Sequence, residues 1–221
     1  MMIKIAPSML SCDFARFGEE TARMENEGAD LIHMDVMDAH FVPNLTFGAP
    51  IIKKMRSYSK LPFDVHLMIS DPLKYAEDFA KAGADIITFH IESDSPIGET
   101  IDKIRSLGVK ASLSVKPKTP IEEVFPYLDS LDMVLIMTVE PGFGGQSFMA
   151  DMMPKVHKLR EEITRRGLDI DIQVDGGISD KTIAIAAQNG ANVFVAGSAL
   201  FGASDSRAMM AKLRELAAQA F

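Results

Sequence analysis

Cysteine, tryptophan and long apolar runs are scarce or missing in this chain of 221 residues. Its single cysteine, Cys12, cannot form a disulfide within the chain, so we expect a fold that forms in a reducing compartment. The uncharged stretch over 183–204 is interrupted by Gln188, Asn189 and Asn192, and it does not predict a membrane span. Because the first residues also lack the apolar segment of a signal peptide, we expect a cytoplasmic protein.

Positive charge is in deficit, with 23 Lys and Arg against 31 Asp and Glu and a formal net charge of -8. This balance makes a nucleic-acid partner unexpected. A hydrophobic fraction of 47% is enough for a sizeable core. No linker or low-complexity segment divides the chain, and we therefore expect one domain over 1–221.

Short β-branched or apolar runs alternate with helix-like segments along the whole chain, which predicts a parallel α/β sheet. The predicted strands are 3–8, 31–36, 62–67, 85–90, 110–115, 133–138, 170–175 and 193–196. The predicted helices are 13–28, 48–57, 72–82, 97–107, 120–128, 150–166, 180–189 and 205–219. Asp71 before Pro72 has the pattern of a helix N-cap, and Thr119 with Glu122 has the spacing of a capping box.

Eight such units can form an open doubly wound sheet or a closed barrel, and the polar residues favour the barrel. Along 32–37, Ile32, Met34 and Val36 share one face of the strand, whereas His33 and Asp35 lie on the other. The same alternation recurs in the third, fourth, fifth and seventh predicted strands, whereas the sixth is apolar on both faces. Strands in an open sheet are covered by helices on both faces and are apolar throughout. The pattern therefore predicts a (β/α)8 TIM barrel whose interior is partly polar.

Four ionisable side chains stand near the C-terminal ends of these strands: Asp35, His66, His90 and Asp175. In a barrel these ends form one rim, so distant residues converge there. Together with His33 they could surround a divalent ion, but spacing alone leaves a hydrogen-bonded network equally open. We interpret His90 as hydrogen-bonded, and we assign Asp38 and His40 to hydrogen bonds within the loop that follows the second strand.

Glycine-rich segments follow the last three predicted strands, at 140–146, 175–177 and 196–198. Glycine lets backbone N–H groups approach an anion closely, and barrels often bind phosphate at the loops after their seventh and eighth strands. Tight turns alone are the alternative. Three adjacent loops of this kind make a phosphate site the better hypothesis.

Several long motifs resemble those of the ribulose-phosphate 3-epimerase family over essentially the whole chain. They are Ile5-Ala6-Pro7-Ser8, His33-Met34-Asp35-Val36-Met37-Asp38, Asp64-Val65-His66-Leu67-Met68, the segments 137–146 and 174–177, and Gly197-Ser198. The resemblance implies reversible epimerisation at C3 of D-ribulose 5-phosphate in the pentose phosphate pathway. Two acid/base aspartates would act through a metal-stabilised enediolate, because removal of the C3 proton needs one group on each face of the substrate and electrostatic stabilisation of the product.

The family's site residues fall on definite positions of this sequence. By resemblance, the catalytic pair is Asp35 and Asp175, and the ligands of one divalent metal ion are His33, Asp35, His66 and Asp175. Zinc is the expected ion, with iron, manganese or cobalt as substitutes. The substrate-binding positions are Ser8, His66, Gly142, Phe143, Gly144, Gly145, Asp175, Gly176, Gly177, Gly197 and Ser198, and the residues lining the reaction centre are Met37, Met68 and Met137. We also expect a sugar-phosphate substrate, no membrane partner and a homo-oligomer.

Two departures and three rival functions accompany this resemblance. The family usually has glycine at position 39, where a positive φ would strain Ala39 by about 1 kcal/mol, and it commonly has asparagine where Lys116 stands. The nearest rival is a 3-epimerase of a hexulose phosphate such as allulose 6-phosphate. A barrel metallohydrolase of phosphate esters and a non-catalytic phosphosugar-binding barrel are the other two.

Overall fold

The computed structural model describes residues 2–221 and contains a single sheet of eight parallel strands. The sheet order is β1-β8-β7-β6-β5-β4-β3-β2, so that each strand lies beside its neighbour in sequence. The strands are β1 (Lys4–Pro7), β2 (Ile32–Met37), β3 (Phe63–Met68), β4 (Ile86–His90), β5 (Lys110–Val115), β6 (Met133–Met137), β7 (Asp171–Asp175) and β8 (Val193–Ala196). All eight predicted strands are present with ends shifted by at most one residue, and the predicted TIM barrel is confirmed.

Helices follow the strands on the outside of the barrel. They are α1 (Phe17–Asn26), α2 (Ala49–Met55), α3 (Pro72–Lys81), α4 (Ile97–Ser106), α5 (Met153–Arg166), α6 (Ile183–Gln188), α7 (Ser198–Phe201) and α8 (Ser206–Ala220). The helix predicted over 120–128 is instead a 3-10 segment, Ile121–Ser130, because Pro126 lies inside it and cannot donate a backbone hydrogen bond. The short helix α7 was not predicted. Among the described residues, no helix is long and apolar enough to cross a membrane.

The barrel closes at the seam between β1 and β2. These two strands share only an isolated parallel bridge between Ser8 and His33, whereas every other neighbouring pair forms a continuous ladder. The register along β2 places Asp35 beside His66 and His33 beside Asp64 on β3. On the far side of the barrel, Met137 of β6 lies beside Asp175 of β7.

The predicted faces of β2 are confirmed. Ile32, Met34 and Val36 belong to the large apolar cluster between the sheet and the helices. His33 and Asp35 are also buried, but they point to the barrel interior, where they meet polar groups from other strands. The strand thus separates an apolar outer layer from a polar lumen.

Of three local features predicted from the sequence, one helix cap and one strained residue are present, and one capping box is not. Asp71 caps α3 by accepting a hydrogen bond from the Lys74 N–H, as predicted. The predicted capping box is wrong: the hydroxyl of Thr119 donates to Glu92 instead, and Pro120 precedes the 3-10 segment without a side-chain cap. Ala39 has a φ of 60°, the strained conformation anticipated for alanine at this position.

Candidate active site

A cavity of about 330 Å³ opens at the C-terminal ends of the strands. Nearly all of the predicted site residues line it: Ser8, Asp35, Met37, Met68, Met137, Gly142, Phe143, Gly144, Gly145, Asp175, Gly176, Gly177, Gly197 and Ser198. Residues from β1, β2, β3, β6, β7 and β8 or the loops after them thereby meet in one place. Gln146 and Ser179 also line the cavity and were not predicted to do so.

Two predicted residues, His33 and His66, lie beneath this cavity rather than on its wall. Both are completely buried. Each nevertheless offers one ring nitrogen to a group of four ligand atoms, the others coming from Asp35 and Asp175, and these atoms all lie within 4.8 Å of one another. The structure therefore brings together the four residues predicted as metal ligands.

Asp35 is the better-partnered carboxylate of the pocket. Its Oδ2 accepts a hydrogen bond of 2.7 Å from the Ser8 hydroxyl, and its Oδ1 lies 3.3 Å from both His66 Nδ1 and His33 Nε2. Burial alone would raise the pKa of Asp35, but the positive charge of the nearby His33, together with the hydrogen bond from His66, holds the pKa well below its usual range.

Asp175 stands across the same group of atoms without comparable partners. Its Oδ2 lies 3.8 Å from His33 Nε2 and 3.7 Å from His66 Nδ1, too far for hydrogen bonds. Burial and the negative charge of Asp35 raise the pKa of Asp175 to about 6, which the two histidines offset only in part. The two carboxylates are thus separated in acidity, with Asp35 ionising first.

His33 is held by a carboxylate on its other side. Its Nδ1 lies 2.7 Å from Asp64 Oδ2, and Asp64 also accepts hydrogen bonds from Thr88 and from Gln173. An ionised carboxylate can only accept, so Nδ1 carries a proton and Nε2 is the nitrogen directed at the cluster. Nε2 is buried and forms no hydrogen bond among the described residues. Burial lowers the pKa of His33, but Asp35 and Asp64 raise it well above its ordinary value.

His66 has a longer chain of partners. Its Nε2 lies 2.9 Å from Nε2 of His90, and His90 Nδ1 lies 3.2 Å from Glu92 Oε2. The hydrogen-bonded role predicted for His90 is confirmed, and burial lowers its pKa to about 4. Glu92 was missed because it lies beyond the end of β4 in a turn, where no periodicity marks it. Asp64 could have been found, since it alternates with apolar residues and pairs in register with His33.

Methionines form the apolar part of the wall. Met37, Met68 and Met137 are each at most 3% exposed, and each lies at the last position of its strand. Their uncharged sulfurs neither donate nor accept protons, so this part of the wall does not compete in proton transfer.

In the loops after β6, β7 and β8, glycines line the cavity and leave the backbone without side chains. Gly177 has a φ of 67°, and a Cβ there would collide with the backbone nitrogen of Phe148. A Cβ on Gly197 would collide with the hydroxyl oxygen of Ser11. Within residues 2–221, the N–H groups of Gly144, Gly145 and Gly177 donate to no protein acceptor. Unpaired N–H groups beside a cavity suit an anionic group such as a phosphate.

Asp38 and His40 stay outside the cavity, as predicted. Asp38 Oδ1 accepts hydrogen bonds from the backbone N–H groups of His40 and Phe41. Its second oxygen reaches further than expected and accepts from the Ser70 N–H in the loop after β3. Asp38 therefore joins two rim loops and takes no part in the cluster.

Comparison with known proteins agrees with this geometry. The sequence model described as the Ribulose-phosphate 3 epimerase family matches residues 4–201. The chain belongs to this family. It is 50% identical to the ribulose-phosphate 3-epimerase, cytoplasmic isoform, of Oryza sativa subsp. japonica, over 96% of this chain and 93% of the relative. It is 46% identical to the enzyme of Bacillus subtilis, over 96% and 99%. It is therefore an isomerase of the epimerase type.

Solved structures of other enzymes share the barrel at low sequence identity. The 3-hexulose-6-phosphate synthase of Salmonella typhimurium has a TM-score of 0.71 at 20% identity, covering 99% of this chain and 100% of that chain. The 3-keto-L-gulonate-6-phosphate decarboxylase of Vibrio cholerae has a TM-score of 0.74 at 16% identity, covering 100% of both chains. These likenesses describe the fold alone.

Proposed function

We propose that the chain catalyses the reversible epimerisation of D-ribulose 5-phosphate to D-xylulose 5-phosphate at C3, as a step of the pentose phosphate pathway. The observation that carries this proposal is the pair Asp35 and Asp175, which lie on β2 and β7 and face one cavity of about 330 Å³. Inversion at C3 requires proton removal on one face of the substrate and proton return on the other. Carboxylates from two separate strands that face the same cavity are suited to this task.

The difference in acidity between the two carboxylates supports a two-base mechanism. In one direction the ionised carboxylate takes the C3 proton while the other, still protonated, donates from the opposite face; the roles are then exchanged for the reverse reaction. The charge of His33 and the hydrogen bond from His66 keep the pKa of Asp35 low, and the Ser8 hydroxyl also donates to this carboxylate. The raised pKa of Asp175, about 6, lets it keep a proton to higher pH than an ordinary aspartate.

One divalent metal ion per chain fits the same four residues. Two imidazole nitrogens and two carboxylate oxygens are a donor set that zinc accepts, with iron, manganese or cobalt as alternatives. The buried, unpartnered Nε2 of His33 supports this fit, because an orphaned nitrogen in a protein interior is costly without a ligand. The bound ion would supply Lewis-acid stabilisation of the negative charge that develops on the ketose oxygens.

Substrate orientation would come from the glycine loops. The free N–H groups of Gly144, Gly145 and Gly177 are placed to receive the phosphate, with Gly176, Gly197 and Ser198 beside them. Phosphate anchoring at the β6, β7 and β8 loops would direct the sugar toward the carboxylates and methionines on the other wall. Ser8 and His66 would contact the substrate near its reacting carbon.

The deciding experiment is an assay of metal-defined protein with ribulose 5-phosphate. We expect xylulose 5-phosphate to form and solvent deuterium to enter C3 in D2O. Allulose 6-phosphate is the matched control substrate, and a higher kcat/KM with it would replace the pentose assignment by the hexulose one. Release of inorganic phosphate without epimerisation would overturn the proposal in favour of a metallohydrolase, and binding without proton exchange would indicate a non-catalytic barrel.

The proposal also covers the location of the protein in the cell and its oligomeric state. The rice relative is named a cytoplasmic isoform, which supports a cytoplasmic location for this chain. We further propose that residues 1–221 act as one domain within a homo-oligomer. Fractionation of the source cells and light scattering on the purified protein measure these two points.

A further inference from the structure

His66 presents two chemically different nitrogens to two different environments. Nδ1 faces the pocket, at 3.3 Å from Asp35 Oδ1 and 3.7 Å from Asp175 Oδ2. Nε2 faces away from it, at 2.9 Å from Nε2 of His90. Both rings are completely buried, so water cannot replace either partner. The location of the His66 proton therefore decides what Nδ1 can do.

A contact of 2.9 Å between two ring nitrogens holds one proton. Two lone pairs would repel at this distance, and two N–H groups would collide. The shared proton belongs either to His66, which leaves Nδ1 as a free lone pair when the ring is neutral, or to His90. The position of the proton on the second nitrogen of His90 distinguishes these cases.

Glu92 fixes that second position. Its Oε2 lies 3.2 Å from His90 Nδ1, and a carboxylate can only accept, so His90 Nδ1 carries a proton. Glu92 is itself anchored, because its Oε1 accepts from the Lys116 N–H and from the Thr119 hydroxyl. If His90 also held the shared proton, a full positive charge would reside on a ring with no exposure, which desolvation opposes. The neutral His90 accepts from His66 instead.

We propose that His90, oriented by Glu92, is a positioning residue that holds one proton of His66 on Nε2. Nδ1, which lies 3.3 Å from Asp35 Oδ1, is then the only nitrogen of the ring that can give up its proton to a metal ion in the pocket. This inference rests on the proposed function, in which Nδ1 is the atom offered to a divalent ion. His33 has a carboxylate, Asp64, in direct contact with its outer nitrogen. His66 reaches its carboxylate through an intervening neutral ring.

The tautomer is observable directly. The chain contains five histidines, so long-range 1H–15N correlations of the imidazole rings can be assigned with single histidine variants. In metal-free wild-type protein we expect His66 protonated on Nε2 and His90 protonated on Nδ1. A His66 ring without a proton on Nε2, in either metal-free or Zn2+-loaded protein, would overturn the inference.

Variants at position 90 test the consequence. His90→Phe keeps a ring but removes both nitrogens, and we expect Zn2+ affinity, measured by competition with a chromophoric chelator, to fall about 10–100-fold. His90→Gln restores an acceptor for His66 and a donor for Glu92, and should recover most of that loss. Lys116→Met is the matched control, since it alters a side chain on the same loops but keeps the backbone N–H that binds Glu92.

Each outcome bears on one claim. Equal Zn2+ affinity in wild type and folded His90→Phe would overturn the inference, as would failure of His90→Gln to recover affinity. If His90→Phe does not fold, His90→Gln and the wild-type tautomer decide the matter. A wild-type protein that shows the expected tautomer and binds Zn2+ but does not epimerise ribulose 5-phosphate would refute the proposed function and leave this inference standing.

Discussion

Asp35 and Asp175 share one pocket, and their pKa values move in opposite directions. The side chain of Asp175 is the more exposed, 16% against 4%, yet its pKa is raised to about 6 whereas that of Asp35 is lowered. Exposure alone would give the opposite order. The difference lies in partners: Asp35 receives a hydrogen bond from Ser8 and lies 3.3 Å from each histidine, but both histidines stand farther from Asp175. The charges of nearby groups, with His33 first for Asp35 and Asp35 itself for Asp175, therefore outweigh the difference in exposure in this pocket.

Removing either carboxylate should give the largest effect. We expect Asp35→Asn and Asp175→Asn each to slow epimerisation about 10²–10⁴-fold, because each removes one proton-transfer group. In D2O, each variant should still exchange the C3 proton of one epimer, and the two variants should differ in which epimer that is. The metal content of each variant must be measured alongside.

Asp38→Asn is the matched control for these variants. Asp38 also follows β2, but it binds loop N–H groups outside the cavity. Most activity should remain in this variant. Epimerisation at the wild-type rate by Asp35→Asn or Asp175→Asn would show that the two-base assignment is wrong.

The pH dependence of metal binding should reveal the weaker acid of the pair. A metal ion binds the ionised carboxylate, so below the pKa of Asp175, about 6, protons on Asp175 should add a loss of affinity of about tenfold per pH unit to the loss caused by protonated His33. Because the pKa of His33 is raised, Zn2+ uptake at pH 7 should also release protons. Calorimetry in buffers of different ionisation enthalpy measures this release. The Zn2+ affinity should therefore change within about one pH unit on either side of the pKa of Asp175, about 6. An affinity that stays constant over this range would contradict the assignment of Asp175 as a metal ligand.

The two carboxylates should also be coupled in the metal-free protein. Burial is the first cause of the raised pKa of Asp175, and the charge of Asp35 is the second. Asp35→Asn removes that charge, so the pKa of Asp175 should fall below about 6, toward its ordinary value, without reaching it. Carboxyl 13C shifts followed across a pH titration provide the measurement, and an unchanged titration of Asp175 would exclude the coupling.

Ser8→Ala should reduce kcat/KM less than removal of either carboxylate does, because it takes away only one hydrogen bond of Asp35. The variant removes the hydrogen bond of 2.7 Å to Asp35 Oδ2, and the pKa of Asp35 should rise. A hydrogen bond to a charged group contributes about 1.5 kcal/mol, which corresponds to about tenfold in kcat/KM. Ser93→Ala is the control, because the buried Ser93 hydroxyl has no partner among the described residues. Equal kinetics in the two variants would show that Ser8 does not act on Asp35.

Ala39→Gly should leave both carboxylates unchanged. Glycine relieves the strain of a φ of 60°, but it also adds entropy to the unfolded chain, so the free energy of unfolding should change by less than about 1 kcal/mol. Denaturant titration gives this value, and the carboxyl titrations should overlay those of the wild type. A shifted Asp175 titration would mean that the loop after β2 sets the acidity of the pocket.

The sequence predicted the barrel and the meeting of the four candidate ligands because both follow from alternation along strands. His33 and Asp35 are two residues apart, which is one repeat of a strand, and parallel strands end at one rim. It could not predict the order of acidity. That order depends on distances of 3.3 Å and 3.7 Å between His66 Nδ1 and the two carboxylates, and residue spacing does not determine such differences.

Local sequence patterns failed where tertiary contacts competed with them. Thr119 has the spacing of a helix cap, but its hydroxyl donates a hydrogen bond to Glu92 instead. Pro126 prevents a regular α-helix over the predicted segment, although the apolar spacing there is helical. Glu92 lies in a turn and has no sequence pattern of its own, so its link to His66 could emerge only from coordinates.

The isolated bridge between β1 and β2 has a mechanical consequence. Two aspartates fasten this edge of the sheet: Asp30 at its base, where it exchanges two hydrogen bonds with Ile5, and Asp35 at its top, through Ser8. Asp35 therefore has two roles: it lines the cavity, and it links the first strand to the second. Truncation to alanine would loosen the join between the first and second strands, whereas asparagine keeps an acceptor for Ser8. The carboxylate proposed to transfer a proton therefore also helps to hold the first and second strands together and to close the barrel.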